Sequence, residues 1–282
     1  MDLFRALAVL AEQPSPNSHP IAEALGLSPF PEVSEYTDLF DFQLYPFASV
    51  YLGNEGMLGG EAADRVAGFW RALGQTPPPE SDHLSVMLAL YAQLIEIEES
   101  NDSSNHLRWR AARKAFLWEH LLSWLPVYLS KLKDIATPFY QRWSEILLGA
   151  LFDEARIVGK QEQVSLHLRE SEGLVDPREG EVDEFLQSLL APARSGMILV
   201  RSDFTRAAKQ LELGNRIGER KFIIKSLFGQ DAGGTLDWLA EEAAGWARRH
   251  RQNIDALGET ARVWENKAAT TNSLLVELRS ET

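Results

Sequence analysis

The sequence predicts an all-α protein. Nearly every long segment repeats its apolar residues at helical spacing, alternating β-branched runs are scarce, and Gly- or Pro-containing stretches punctuate the periodic segments. At 282 residues and 45% hydrophobic composition the chain can bury a substantial core, in one large domain or two modest ones.

The elements follow in order. "MDLFRALAVLAEQPS" reads as an amphipathic helix rather than a signal peptide, because it has no basic leader and no small-residue cleavage site. "PSPNSHP" is a loop, and "IAEALGL" and "SEYTDLF" are short helices. "YPFASVYLGNEGMLGG", aromatic and Gly-rich, is an ordered connection. "GEAADRVAGFWRALG" resumes the helix, which Gly74 and the following "TPPPE" end. Ser81 or Asp82 is positioned to cap the next helix, whose apolar residues Leu84, Leu88, Tyr91 and Ile95, with Met87, Leu90 and Leu94 beside them, form a face wide enough for a central element. It runs into an acidic, polar loop, "EIEESNDSSN". "HLRWRAARKAFLWEHLLSWL" is a helix expected to stop or kink near Pro126. The helix starting at Pro138 sets Phe139, Trp143, Leu147 and Leu151 at four-residue steps, facing a core. Residues 159–181 are polar and non-periodic and read as a linker between an N-terminal helical core, 1–158, and a C-terminal helical lobe, 182–282. The lobe's helices are expected at about 182–191, 202–213, 217–229, 233–251 and 259–279.

Composition narrows the function classes. The absence of cysteine excludes disulfides and thiolate metal sites, and the six histidines never take the His-Glu-x-x-His spacing, so no metal or other cofactor is expected. The formal charge of −13 repels phosphate backbones and favours a basic partner, so nucleic acid is not the expected ligand. No stretch approaches the roughly 18 consecutive apolar residues of a membrane span, and the expected location is the cytoplasm.

Three constellations stand out. "PESDHL" sets Glu80, Asp82 and His83 side by side. Adjacent residues at a helix start diverge, so they suit capping and dipole compensation better than convergent acid/base catalysis. "FLWEHLLSW" puts Phe116, His120 and Trp124 on one helix face with Leu121 alongside, a pattern that serves core packing or lines an apolar peptide groove. Residues 194–225 carry eight cations against three carboxylates and loosely resemble a helix-turn-helix, so a DNA-binding transcription regulator is the alternative reading. No phosphate-binding loop and no Gly-x-Ser-x-Gly elbow is present, and no enzymatic activity is expected.

Taken together, "SVYL" at 49–52, the Pro-rich turn with Glu-x-Asp-His-Leu at 80–84, Phe-x-x-x-His-Leu-x-x-Trp at 116–124 and Phe139-Tyr140 resemble the TorD/DmsD/NarJ-type family of redox-enzyme maturation chaperones, over about residues 35–155. The chain departs from the family pattern at Ser81 and Ser123, where the family usually has proline. The resemblance implies a TorD-like helical bundle, here with an additional C-terminal lobe, acting as a non-enzymatic cytoplasmic chaperone. Its implied partner is the catalytic subunit precursor of a molybdopterin-dependent oxidoreductase, often bound through an N-terminal twin-arginine signal peptide. The resemblance assigns client recognition to the Asp-His region. Glu80, Asp82 and His83 are then expected at the rim of the peptide site, and Tyr51, Phe116, His120, Leu121 and Trp124 on its floor.

Overall fold

In the computed structural model, which describes residues 3–100 and 103–281, every regular element is helical, and the β-pairing present is an isolated bridge between Phe47 and His83. The chain divides into two units: Met1–Ser49 with Leu58–Leu166, and Val50–Met57 with His167–Thr282. Where the sequence reading has a linker over 159–181, the structure divides the stretch between the two units and orders it with a short helix and a hydrogen-bonded turn at Asp176–Gly180.

The first unit holds α1 (Leu3–Leu10), α2 (His19–Ala24), α3 (Val33–Tyr36), the start of α4 (Ala48–Leu52), α5 (Gly60–Ala72), α6 (Leu84–Ser100), α7 (Ser103–Phe116), α8 (Leu125–Ile135) and α9 (Pro138–Val158). The wide apolar stripe of α6 makes it central, packed by α1 on one side and α7 on the other. Leu84, Met87, Leu88, Leu90, Tyr91 and Leu94 are all buried, as are Phe139, Trp143, Leu147 and Leu151 of α9. Rather than ending in a loop at residue 96, α6 continues to Ser100. Asn101 and Asp102 of the expected acidic loop lie outside the described residues.

The break expected near Pro126 comes earlier. A π turn occupies Leu117–Leu121, closed by the Leu122 N–H on the Leu117 carbonyl at 2.7 Å, and α8 then starts with Pro126 in its first turn, where a missing N–H costs nothing.

Buried polar groups in this unit are tied across helices. The Arg113 guanidinium on α7 lies between Glu98 of α6, at 2.9 Å, and Glu154 of α9, which also accepts the Tyr91 hydroxyl. Burial alone would lower the Arg113 pKa. The hydrogen bonds to Glu154, Tyr91 and Glu98 outweigh it and hold the group above its ordinary range. Two indoles reach backbone carbonyls, Trp143 to Leu7 at 3.2 Å and Trp118 to Gly159 at 2.9 Å.

The second unit contains α10 from its second residue (Leu166–Glu170), α11 (Val182–Leu190), α12 (Pro192–Ser195), α13 (Arg201–Gln210), α14 (Arg220–Gln230), α15 (Ala232–Gln252), α16 (Ile254–Leu257) and α17 (Glu259–Ser280). α15 and α17 form a long helical hairpin turned at Gly258, whose φ is +55°. Against it lies the apolar run 197–200, wholly buried. Gly196, at φ +74°, lets α17 approach the backbone: an added Cβ would stand 2.3 Å from the Ala268 nitrogen. The same turn is gripped by His250, whose Nε2 lies 2.7 Å from the Gly196 carbonyl, and by the Thr271 hydroxyl, which donates to Ser195 at 2.9 Å. Gly56, also at positive φ, lies against α11's end, where a Cβ would meet the Ala191 Cα at 2.9 Å.

Candidate functional site

The "PESDHL" segment is pinned to the stretch before α4. The Ala48 N–H donates to the Asp82 carbonyl at 3.0 Å and the Leu84 N–H to the Pro46 carbonyl at 2.8 Å, making the small bridge around Phe47 and His83. Within that frame the three polar residues part company. Glu80 is exposed. Asp82 is buried, and its carboxylate accepts the Ser49 N–H at 3.1 Å, satisfying a free amide in the first turn of α4.

His83 takes the capping role that the sequence reading gave to Ser81 or Asp82. Its Nδ1 accepts the Ser85 N–H at 3.2 Å and lies 2.8 Å from the Ser85 hydroxyl, while its carbonyl receives the Met87 N–H. A ring nitrogen that accepts a backbone N–H carries no proton, so the neutral tautomer bears its hydrogen on Nε2. Burial lowers the His83 pKa, opposed by the carboxylates of Glu80, Glu12 and Asp82. The half-buried ring meets Phe47 edge-on at 4.8 Å. The free edge of the neutral imidazole offers its Nε2–H to an acceptor, and the exposed Glu80 carboxylate can receive a cation or a hydrogen-bond donor.

The "FLWEHLLSW" residues lie deeper. Phe116, His120, Leu121 and Trp124 are all buried, with Phe116 and His120 packed under Phe69 of α5 at 4.9 and 5.4 Å between ring centroids. Trp124 donates its indole N–H to the His120 carbonyl at 2.8 Å and stacks edge-on with Tyr128. These four side chains therefore lie behind the surface, with Phe69 against two of them. Tyr51 is buried too, in the Val50–Met57 segment of the second unit.

Two concavities are made by residues that no local motif marks. In the first unit a cleft of about 630 Å³ runs along one face of α6, lined by Leu90, Gln93, Glu96 and Ile97 with Arg5 of α1 and Trp70 of α5. The Trp70 Nε1 is buried and has no hydrogen-bond partner among the described residues. In the second unit a cleft of about 380 Å³, almost wholly apolar, opens between α11, α14, α15 and α17. Neither was visible in sequence, since each draws on helices far apart in the chain.

The basic segment 194–225 forms α13 and α14, joined by residues 211–219, longer than the three- to four-residue turn of a helix-turn-helix. Arg194, Arg206, Lys221 and Lys225 are already paired with carboxylates. Among the described residues, no group of three or more His, Asp or Glu side chains is arranged to hold a metal ion, and no helix is long and apolar enough to cross a membrane.

Comparison with known proteins bears on the first unit. Residues 28–129 match the family model described as nitrate reductase delta subunit. The chain is 29% identical over 121 residues to the chaperone protein TorD of Vibrio vulnificus strain YJ016, and equally to that of strain CMCP6, covering 40% of this chain and 56% of the relative. It is 25% identical over 122 residues to the TorD chaperone of Vibrio parahaemolyticus serotype O3:K6, covering 41% and 57%. The chain thus aligns with little more than half the length of the curated relatives it matches. The family match spans both the Glu-x-Asp-His-Leu and the Phe-x-x-x-His-Leu-x-x-Trp motifs, and over these residues the chain is similar to the TorD/NarJ-type family.

Proposed function

We propose that this protein is a non-enzymatic cytoplasmic chaperone that binds the catalytic subunit precursor of a molybdopterin-dependent oxidoreductase and holds it for cofactor insertion. The observation that carries the reading is the family match at 28–129, which contains both motifs. The relatives it rests on are named chaperones. The charge of −13 agrees with a client whose targeting peptide is basic at one end, because long-range attraction raises the encounter rate with a cationic segment.

Within the predicted site the exposed Glu80 and the half-exposed His83 edge take the direct contacts. Asp82 acts through the backbone, holding α4 against the 80–84 segment. Phe116, His120, Leu121, Trp124 and Tyr51, all buried, act by packing rather than by direct contact.

Affinity capture from the native cytosol tests the function. The expected result is recovery of an unprocessed molybdoenzyme subunit, lost when its N-terminal peptide is supplied in excess and diminished by Glu80→Lys combined with His83→Ala. Recovery of no such subunit from cells that are expressing molybdoenzymes would sink the reading.

A further inference from the structure

The apolar cleft of the second unit lies outside the residues of the family match. Val182, Phe185 and Leu186 of α11 form one wall, with Phe228, Leu236 and Leu278 completing it from three other helices. Val182 is 56% exposed at the mouth, and the Phe185 and Phe228 rings stand 6.5 Å apart. A concavity of this kind, with few polar atoms inside it, is suited to apolar side chains.

Its surroundings are charged unevenly. Residues 176–184 carry Asp176, Glu179, Glu181, Asp183 and Glu184 against Arg178 alone. Asp176 is taken up by Arg178 at 2.6 Å, and Asp183 by Lys225 and Lys221 at 2.9 and 3.4 Å. Glu179, Glu181 and Glu184 are exposed and, among the described residues, make no ion pair. The charged residues that line the cleft are thus paired, Lys225 with Asp183 and Glu281 with Arg178, while the three glutamates at and just before the start of α11 face solvent. An anionic amphiphile would meet net repulsion there, and a cationic one attraction.

We propose that this cleft receives an apolar segment of the client polypeptide flanked by basic side chains, with Val182, Phe185, Leu186 and Phe228 taking the apolar residues and Glu181 and Glu184 the cations. The proposal rests on the chaperone reading and adds to it a second point of grip, in the appended lobe.

The test is fluorescence anisotropy on the full chain, with a short labelled peptide that has two adjacent arginines followed by a leucine-alanine run. A control peptide carries glutamates in place of the arginines. Glu181→Lys with Glu184→Lys, both at exposed positions, is expected to weaken binding about tenfold and to flatten its salt dependence. Phe228→Ser is expected to weaken it at all salt concentrations, with helix content checked by circular dichroism. Unchanged affinity in both variants, with binding abolished by Glu80→Lys and His83→Ala, overturns the cleft assignment and leaves the chaperone reading standing. Equal binding of the control peptide, binding of an anionic naphthalene dye but of neither peptide, or self-association relieved by the cleft variants overturns it as well. If the peptide does not bind and the capture experiment yields no molybdoenzyme subunit, both readings fall together.

Discussion

Each unit has a deeply buried titratable group with a structural role: in the N-terminal unit a cation, Arg113, is fixed between two carboxylates. In the C-terminal unit it is a neutral imidazole, His250, set between Trp246 and Trp264. The first arrangement joins α6, α7 and α9 by charge, and each member depends on the others to remain tolerable away from water. The second joins α15 to the 195–197 turn through the Nε2–H donated to the Gly196 carbonyl, and the burial of the ring favours its neutral form. The Arg113 arrangement is therefore sensitive to which partners are present, and the His250 arrangement to the proton concentration.

Breaking each arrangement should show that difference, with hydrogen exchange read by mass spectrometry to assign the loss to a unit. The largest effect is expected from Gly196→Ala. A positive φ and a Cβ placed against the α17 backbone should cost more than about 4 kcal/mol, with exchange rising across α15 and α17. Normal protection there would refute the close-approach argument.

Arg113→Met should cost about 3–5 kcal/mol in urea unfolding by leaving Glu98 and Glu154 buried without their shared cation, and the exchange should rise in α6, α7 and α9. If Glu98→Gln with Glu154→Gln in that background recovers none of the loss, packing rather than charge is responsible.

Acid should act on the C-terminal unit. Burial, opposed by the Gly196 carbonyl, lowers the His250 pKa from 6.5 to about 4. The unfolded chain takes up a proton near pH 6.5 that the folded chain refuses until about pH 4. The stabilisation is complete above pH 6.5 and lost as the pH falls through that interval, by up to about 3 kcal/mol. His83 contributes with the same sign in the first unit. Comparing the pH dependence of the urea midpoint in the wild type and in His250→Gln checks this. Identical profiles would exclude His250 as the source.

Smaller effects are expected at the recognition segment. Asp82→Ala should cost about 1 kcal/mol through the lost contact to the Ser49 amide, and Glu80→Ala within about 0.5 kcal/mol. Only the second then reports on client affinity without a stability component. A Glu80→Ala loss as large as that of Asp82→Ala would mean the acidic residue is structural.

What was legible in the sequence follows from range. The faces of α6 and α9 are set by neighbours three and four residues apart, so Leu84, Leu88, Tyr91, Phe139 and Trp143 announce their burial in the periodicity alone. Asp82 did not announce its partner, because Ser49 is contributed by a chain segment brought near only by folding, and with the carboxylate so engaged the cap passed to His83. The π turn at Leu117–Leu121 ends α7 without proline or glycine at the break, which left Pro126 as the visible but misplaced signal. The 159–181 stretch lacks periodicity yet is ordered by single side chains, Glu119 accepting the Leu166 amide and Ser188 the Val175 amide. Such bonds leave no pattern in composition.

The segment Val50–Met57 has a consequence for synthesis. Gly56 fits against Ala191, which the ribosome adds long after it. At the usual elongation rates of about 5–20 residues per second, that strap waits roughly seven to twenty-seven seconds for its partner. Throughout that time the stretch carrying Tyr51 is attached to a nascent N-terminal unit but lacks the rest of its own. A cut anywhere in 159–181 would make this waiting permanent, stranding the strap on the wrong fragment, so the lobe is completed only by a piece made near the beginning of the chain.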